Sequence, residues 1–402
     1  MLKAIKIRLY LNDEQIIYVS KLLGSSRFIY NNCLNYKIEK YNSEKKSVGF
    51  GELGKYLTEL KTKEEYSWLK DSHSKVLQQS LINLEEAYKS FFKNGNGFPK
   101  FKSKHDKQSC RFPADAISSV NGNRINIIKQ LKDIHFKCSK SDEKYLNKFQ
   151  NGIKSGTLSK TKSGNYYFSI LIDKPNKEIS KPINDIIGID LGIKSFIVDS
   201  NGIEYDNIKT IRNNEYKLKK LHRELSKKQK GSKNKEKARI KLAKFHEKLN
   251  NQKEYYLHHT VNKLLSENQT IVMEDLNVKG MMSNHKLAKS IQELSLNRFK
   301  NILEYKAKWY GRDIIEVDRY FPSSKLCNCC GYKNTELTLS DRDWICTSCN
   351  TNHNRDVNAA INIRNEGNRI NNIGLSSPEL KPLENTTLVG SMKKEKNEKY
   401  KS

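Results

Sequence analysis

The sequence predicts a multi-domain α+β protein: an N-terminal β-barrel with an inserted helical lobe, then a second strand-and-helix region carrying helical and cysteine-rich insertions. Three observations predict it. The chain has 402 residues, too many for one ordinary domain at roughly 100–200 residues each. Its hydrophobic pattern switches between the period of a strand and that of a helix several times. Four of its cysteines fall as two close pairs near the C-terminal end. Hydrophobic residues at 36% and aromatics at 9% suffice for real cores, so wholesale disorder is excluded. A mean hydropathy of −0.78 speaks against a membrane protein. The longest apolar stretch, 186–193, is broken by Gly and Asp, well short of the ~18 apolar residues of a spanning helix. The first residues alternate charged and apolar side chains and lack a signal-peptide core, so the expectation is a cytosolic or nuclear protein.

Residues 3–10 read as a strand, with Ile5, Ile7 and Leu9 on one face. After Asn12-Asp13-Glu14, a helix cap, Ile16, Val19, Leu22, Leu23, Ile29 and Cys33 take helical spacing. A second helix follows Asp71-Ser72, where Leu77, Leu81, Leu84, Tyr88 and Phe91 recur every three or four residues, and it stops at Asn94-Gly95. From about 98 to 180 the texture is short alternating runs separated by turn dipeptides such as Asn121-Gly122 and Ser163-Gly164. That pattern predicts a small antiparallel barrel completed by the first strand. A buried strand over 186–192 then runs into a hairpin at Asn201-Gly202. Two packed helices joined near Gly231 are predicted by the seam Leu218, Leu221, Leu225, Leu242, Phe245 and Leu249. A third helix, with Tyr256 and Leu264-Leu265, leads into a strand over 270–274. Another strand covers 313–317, a final helix 356–363, and the Asn-, Ser-, Pro- and Lys-rich tail beyond is read as disordered.

The charge balance points to a partner. Lys and Arg number 74 against 45 acids, a formal net charge of +29. Residues 209–248 alone hold 16 Lys/Arg against 4 Glu. Such a surface is neutralised by a polyanion that sheds counterions on binding, and nucleic acid is the first candidate. A Lys-rich surface from an AT-rich genome is the competing reading, which the abundant Asn, Ile and Tyr also fit.

Cys327-x2-Cys330, then 15 residues, then Cys346-x2-Cys349 is the paired-knuckle spacing of one tetrahedral four-thiolate zinc site. Two disulfides would not persist in a reducing compartment. With four thiolates the site is closed, so its expected role is to fold the insert. Cys329 is the odd thiol of that region, and Cys33, Cys110 and Cys138 read as core-filling. A second constellation is acidic: Asp190 on the opening strand, Glu274 ending an apolar strand, and Asp356 starting the last helix. Singly, each reads as a solvated or capping charge. Jointly they fit phosphodiester hydrolysis by two Mg2+ ions about 3.5–4 Å apart, whose hard-cation chemistry needs anionic oxygens from separate elements.

Those residues also carry a resemblance. The motifs 188–192 (Gly-Ile-Asp-Leu-Gly), 273–276 (Met-Glu-Asp-Leu), the four-cysteine ribbon and 355–360 (Arg-Asp-Val-Asn-Ala-Ala) resemble the TnpB family of transposon-encoded, RNA-guided nucleases, kin to the miniature type V CRISPR effectors. The likeness extends to 97–102 (Gly-Phe-Pro-Lys-Phe-Lys), 229–233 and 323–325, and covers about 3–364. It implies that the second region is an RNase H-like (RuvC) nuclease. Asp190, Glu274 and Asp356 would be its catalytic, magnesium-binding acids, with two Mg2+, and Cys327, Cys330, Cys346 and Cys349 would hold one structural Zn2+. Arg342 resembles an arginine that related nucleases place near the scissile phosphate. The family often has an acid where this chain has Asn354.

By the same resemblance, the barrel (1–10 and 95–182, the wedge domain) and the helical recognition lobe (11–94) grip a guide RNA from the transposon end and the double-stranded target DNA. The nuclease domain takes 183–320 and 353–366 with a basic helical insert at 209–268. A zinc ribbon takes 321–352, and 367–402 form the disordered tail. Lys75, Gln78 and Gln79 are candidates for reading a motif beside the target, since Gln suits bidentate adenine contacts. Lys227, Lys228, Lys230 and Lys233 are candidates for phosphate contacts. The implied activity is RNA-guided, Mg2+-dependent DNA cleavage in the bacterial cytosol or nucleoid, with no membrane partner. Competing readings are a guide-dependent DNA-binding repressor without cleavage, a strand-exchange transposase and a miniature type V CRISPR effector.

Overall fold

The computed structural model describes residues 2–173, 181–338 and 340–372, and the chain divides into two compact units. One comprises Met1–Ile179 and Lys209–Tyr256, the other Ser180–Ile208 and the chain from Leu257 onward.

In the first unit, β1 (Leu2–Tyr10) buries Ile5, Ile7 and Leu9 on one face, as strict alternation requires. Helix α1 (Asp13–Glu44) opens on a reciprocal cap: Asn12 accepts from the Gln15 N–H while the Gln15 side chain accepts from the Asn12 N–H. Helices α2 (Phe50–Thr62) and α3 (Ser74–Asn94) follow, and α3 ends where Gly95 takes a positive φ. The three helices share a core that includes Ile29, Cys33, Leu34, Leu53, Leu57, Leu77, Leu81 and Leu84. The strands β2 (Gln108–Pro113), β3 (Ser119–Asn121), β4 (Arg124–Asn126), β5 (Ile134–Lys137), β6 (Ile153–Lys160) and β7 (Tyr166–Asp173), with the short α4 (Lys140–Lys148) between β5 and β6, complete the sheet. Gly156 on β6 makes room for Phe168, whose Cζ would lie 2.1 Å from any Cβ there.

The sheet order is β2-β6-β7-β1-β5-β4-β3, antiparallel throughout. The first strand therefore joins the later ones, as the alternation predicts, but the expected barrel does not close: among the described residues the edge strands β2 and β3 do not pair with each other. The β3–β4 hairpin is only three residues deep, and β2 ends in Pro113, which has no N–H to donate.

The basic stretch forms α5 (Thr210–Asn213), α6 (Glu215–Ser226) and α7 (Lys233–Glu267). Leu218, Leu221, Leu242, Phe245 and Leu249 form the core between α6 and α7, with Gly231 at positive φ in the turn. What the sequence reads as a third helix is the continuation of α7, because 249–256 contain neither Gly nor Pro. The part of the stretch up to Tyr256 packs with the N-terminal sheet, not with the strands that flank it in sequence. Glu247 shows why: its carboxylate accepts from Ser163, from Asn165 at 3.0 Å and from Tyr167 at 2.9 Å on the β6–β7 hairpin.

The second unit is built on a five-stranded sheet of β8 (Asn184–Leu191), β9 (Ser195–Asp199), β10 (Glu204–Asp206), β11 (Asn268–Glu274) and β12 (Asp313–Val317), in the order β10-β9-β8-β11-β12. β8, β11 and β12 run parallel; β9 and β10 return antiparallel. Helices α8 (Val278–Met281), α9 (His285–Leu294) and α10 (Leu296–Tyr310) connect β11 to β12. The cysteine-rich insert contributes β13 (Asp343–Ile345) and β14 (Asn352–Asn354). Helix α11 (Arg355–Asn372) lies on the sheet, Ile363 packing with Val272, Ile315 and Val317. It absorbs 367–372, the first residues assigned to the tail; 373–402 lie outside the described residues. No helix among the described residues is long and apolar enough to cross a membrane.

Candidate metal and nucleic-acid sites

Asp190 stands next to last on β8, and Glu274 is the last residue of β11. The parallel register sets Met273 beside Ile189, so Glu274 follows at the level of Asp190. Helix α11 brings Asp356 in its first turn. It approaches β8 at Gly188, where a Cβ would lie 2.2 Å from the Ala360 carbonyl oxygen. Any larger residue would hold the helix off. Asn354 caps α11 by accepting from the Val357 N–H at 3.2 Å, the service that an aspartate at this position would also perform.

The three acids feel one another. Burial, then the charges of Glu274 and Asp356, push the Asp190 carboxyl up to about 7, against the pull of Arg355 and the Leu191 N–H. Burial also raises Glu274, opposed by a hydrogen bond from Ser323. Partly buried carboxylates gathered in one place are costly, and a divalent cation relieves that cost. Not every buried acid of this sheet is of that kind. Asp199 is buried more deeply, yet it accepts from the Asn201 and Ile203 N–H groups at 2.9 Å and serves the β9–β10 turn. Asp275, beside Glu274, pairs with Arg319. Arg342 places one guanidinium nitrogen 3.1 and 3.3 Å from the two Asp356 oxygens.

The four cysteine sulfurs lie within 4.8 Å of one another, with Cys327–Cys349 and Cys330–Cys346 each at 3.6 Å. A tetrahedron with bonds of ~2.3 Å has edges of about 3.8 Å, so the set fits one zinc. Each knuckle turns through a left-handed residue just after its second cysteine, Gly331 and Asn350. A hydrogen bond from Thr351 pulls the Cys349 thiol down, toward the thiolate that a metal needs. Among the described residues no other group of three or more such ligands closes to this spacing, so the carboxylates are set wider apart.

Three residues outside the expected set belong to this neighbourhood. His353 is buried, stacks near Trp344 with ring centroids 4.8 Å apart, and sets Nε2 3.0 Å from the Cys327 sulfur. Asn358 and Asn362 are buried on α11 and bond to the backbone of the first knuckle. Asn at two helix-interior positions one turn apart was a visible signal, because such residues disfavour helix unless a partner claims them.

The nucleic-acid candidates sit apart from the carboxylates and the four cysteines in sequence. Lys75 and Gln78 are exposed and Gln79 half-buried on α3, with Lys75 paired to Asp115. Lys227, Lys228, Lys230 and Lys233 are exposed around the α6–α7 turn.

A mixed parallel-antiparallel sheet followed by a four-cysteine insert, in a strongly basic chain, defines a mixed α/β protein with a charge suited to a polyanionic partner. Comparison supports that class. Residues 169–285 match the OrfB/IS605 family, described as "Probable transposase", and 297–363 match a "Cas12f1-like, TNB domain". Residues 1–46 match a "Helix-turn-helix domain", although here they form β1 and one unbroken α1. A Streptomyces pristinaespiralis protein named "Putative RNA-guided DNA endonuclease" is 34% identical over 90% of this chain and 88% of its own. A "TnpB-like protein" of Methanocaldococcus jannaschii is 32% identical over 61% of this chain and 92% of its own. Among solved structures, a Cas12f1–sgRNA–target DNA complex matches in fold with TM-score 0.56 at 15% identity, over 90% of this chain and 98% of that one. The mini-RNA-guided endonuclease Cas-phi3 does so with TM-score 0.52 at 10% identity, over 91% and 92%. The chain belongs to the TnpB family.

Proposed function

We propose that the chain is an RNA-guided, Mg2+-dependent DNA endonuclease encoded by a transposon, cutting double-stranded target DNA next to a short motif. The second unit is its RuvC-type, RNase H-like nuclease and the ribbon its structural zinc module. The observation that carries this reading is the convergence of Asp190, Glu274 and Asp356 from two parallel strands and a helix, where burial first, and then the charges of Glu274 and Asp356, lift the Asp190 carboxyl to about 7. When bound, Mg2+ would supply a nucleophile from water and charge stabilisation for the leaving oxygen.

The remaining tasks fall to side chains. Asp190, Glu274 and Asp356 offer hard anionic oxygens. Ser323 orients Glu274 through its hydroxyl. Arg342, at the edge of Asp356, can swing its guanidinium to the phosphate oxygens and stabilise their developing charge. Cys327, Cys330, Cys346 and Cys349 hold the ribbon. A guide RNA from the transposon end selects the target by base pairing, as in other RNA-guided systems. Lys75, Gln78 and Gln79 face the target-adjacent motif, while Lys227, Lys228, Lys230 and Lys233 hold phosphates.

The test is to sequence the RNA that copurifies with the protein, then offer a plasmid matched to its variable end. Mg2+-dependent cleavage of the matched plasmid alone is expected. Guide-dependent binding without cleavage would favour the repressor instead.

A further inference from the structure

Asn358 and Asn362 lie one turn apart on α11 and are 1% and 6% exposed. A buried amide is costly unless its hydrogen bonds are met, and here they are met by the loop that leads into the zinc site. Asn358 accepts from the Asn328 N–H at 3.0 Å and donates to the Leu326 carbonyl at 2.7 Å, bracketing Cys327 from both sides. Asn362 donates to the Ser323 and Leu326 carbonyls at 2.8 and 2.7 Å. The same loop continues the chain of contacts outward: Ser323, 4% exposed, donates its hydroxyl to the Glu274 carboxylate. At the other end, Asp356 stands two residues before Asn358 on the same helix. From the second half of the insert, the Arg342 carbonyl accepts from the Arg355 N–H at 2.7 Å, where α11 begins.

We propose that the first cysteine knuckle is a positioning element for the carboxylate cluster, with Asn358, Asn362 and Ser323 carrying the geometry of the zinc-ordered loop to Asp356 and Glu274. This rests on the reading of Asp190, Glu274 and Asp356 as ligands of a divalent cation. The physical basis is rigidity. Four thiolates on one ion fix the knuckle backbone, two side-chain amides fix α11 to that backbone, and one hydroxyl fixes a rotamer of Glu274. Apolar residues at 358 and 362 would fill the space but would leave the Leu326 carbonyl and Asn328 N–H unclaimed, and the helix start free to shift.

The experiment measures binding of Mn2+ alone to the full-length protein, by loss of the free-ion electron paramagnetic resonance signal, with zinc content determined on the same samples. Ser323→Ala and Asn358→Ala should weaken Mn2+ binding on the order of 10–100-fold, the usual cost of losing an outer-shell partner, while zinc content is unchanged. Ser323→Thr, which keeps the hydroxyl, should bind Mn2+ as the wild type does. A purely structural role would lower the melting temperature without separating threonine from alanine at 323 in metal affinity. Wild-type Mn2+ binding by Ser323→Ala, or equal weakening by alanine and threonine, overturns the proposal. If Asn358→Ala fails to fold, the pair at 323 decides. Asp190→Ala is the control that separates the two levels. Unchanged Mn2+ binding in that variant overturns both the carboxylate reading and this proposal. Loss of binding there, with none in Ser323→Ala or Asn358→Ala, overturns the positioning role alone.

Discussion

Gly188 on β8 faces Ala360 on α11 so closely that a Cβ would lie 2.2 Å from the Ala360 carbonyl oxygen and 2.6 Å from the Arg364 nitrogen. Both atoms are α11 backbone, so no flexible side-chain end is there to yield. Gly188→Val should therefore push α11 away from the strand, at the ~1–3 kcal/mol typical of overpacking, and draw Asp356 away from Asp190. The expected result is a lowered melting temperature together with lost cleavage. A variant with normal cleavage would show that the helix can be displaced without harm to the acids.

The carboxylates themselves should be separable from nucleic-acid binding. Asp190→Ala, Glu274→Ala and Asp356→Ala should each abolish cleavage and leave guide-dependent DNA binding near the wild-type level, since on the proposed reading metal ligation and phosphate gripping use different residues. Cleavage assays and gel shifts on the same preparations check this. Arg342→Ala should slow cleavage by roughly 100-fold, the scale of losing one transition-state donor. Retained cutting by any of the three acid variants removes that residue from the site.

Much of this arrangement was legible because its signals are local. The alternation of β1, the heptad-like spacing of α3 and the two cysteine pairs each lie within a few turns of chain. What escaped is carried by contacts between residues far apart in sequence. Glu247 meets Ser163, Asn165 and Tyr167 across 80 residues or more, and those bonds assign the basic helices to the N-terminal unit. Nothing in residues 209–248 alone announces them. The open edge of the first sheet is likewise a matter of which strands find partners, and periodicity gives a strand's faces but not its neighbours. Asn358 and Asn362 could have been suspected from their helix-interior positions, yet their partners at 323–328 needed the fold.

Protonation gives a prediction with a defined sign. The folded Asp190 carboxyl sits near 7 against an ordinary 3.8, so between those values the folded state holds a proton that the unfolded chain has released. Its contribution to stability is fully present below about pH 4 and is lost as pH rises through about 7. In metal-free protein, the melting temperature of the wild type minus that of Asp190→Asn should fall across this window and level off above it. Added Mg2+ should raise the wild-type value most at the alkaline end, where the carboxylates are ionised. A difference that is flat with pH would mean that Asp190 ionises normally.

The ribbon should hold about one zinc per chain, because four thiolates at this spacing close one tetrahedral site. Cys327→Ser and Cys349→Ser should lose the metal and destabilise the insert, whereas Cys329→Ser, an exposed thiol outside the set of four, should keep it. Metal analysis of the purified variants is the check, and full zinc in Cys349→Ser contradicts the assignment.

The last prediction concerns the turn between α6 and α7, where Lys227, Lys228, Lys230 and Lys233 are all exposed. If they hold phosphates, each contact releases counterions and adds to the salt dependence of binding, roughly −0.9 in log affinity per log salt for each phosphate on B-form duplex. Replacing all four by Ala should weaken binding to matched and unmatched sequences alike, because phosphates carry no sequence. It should also flatten the salt slope by up to about three to four units if all four engage. The seam of Leu218, Leu221, Leu242, Phe245 and Leu249 is buried between the two helices and includes none of the four lysines, so the fold should survive the change and the melting temperature should barely move. Salt titrations of guide RNA and target DNA binding, wild type against the quadruple variant, give the answer. Identical slopes and affinities would assign these lysines to plain solvation and move the phosphate path to the N-terminal sheet and the α1–α3 helices.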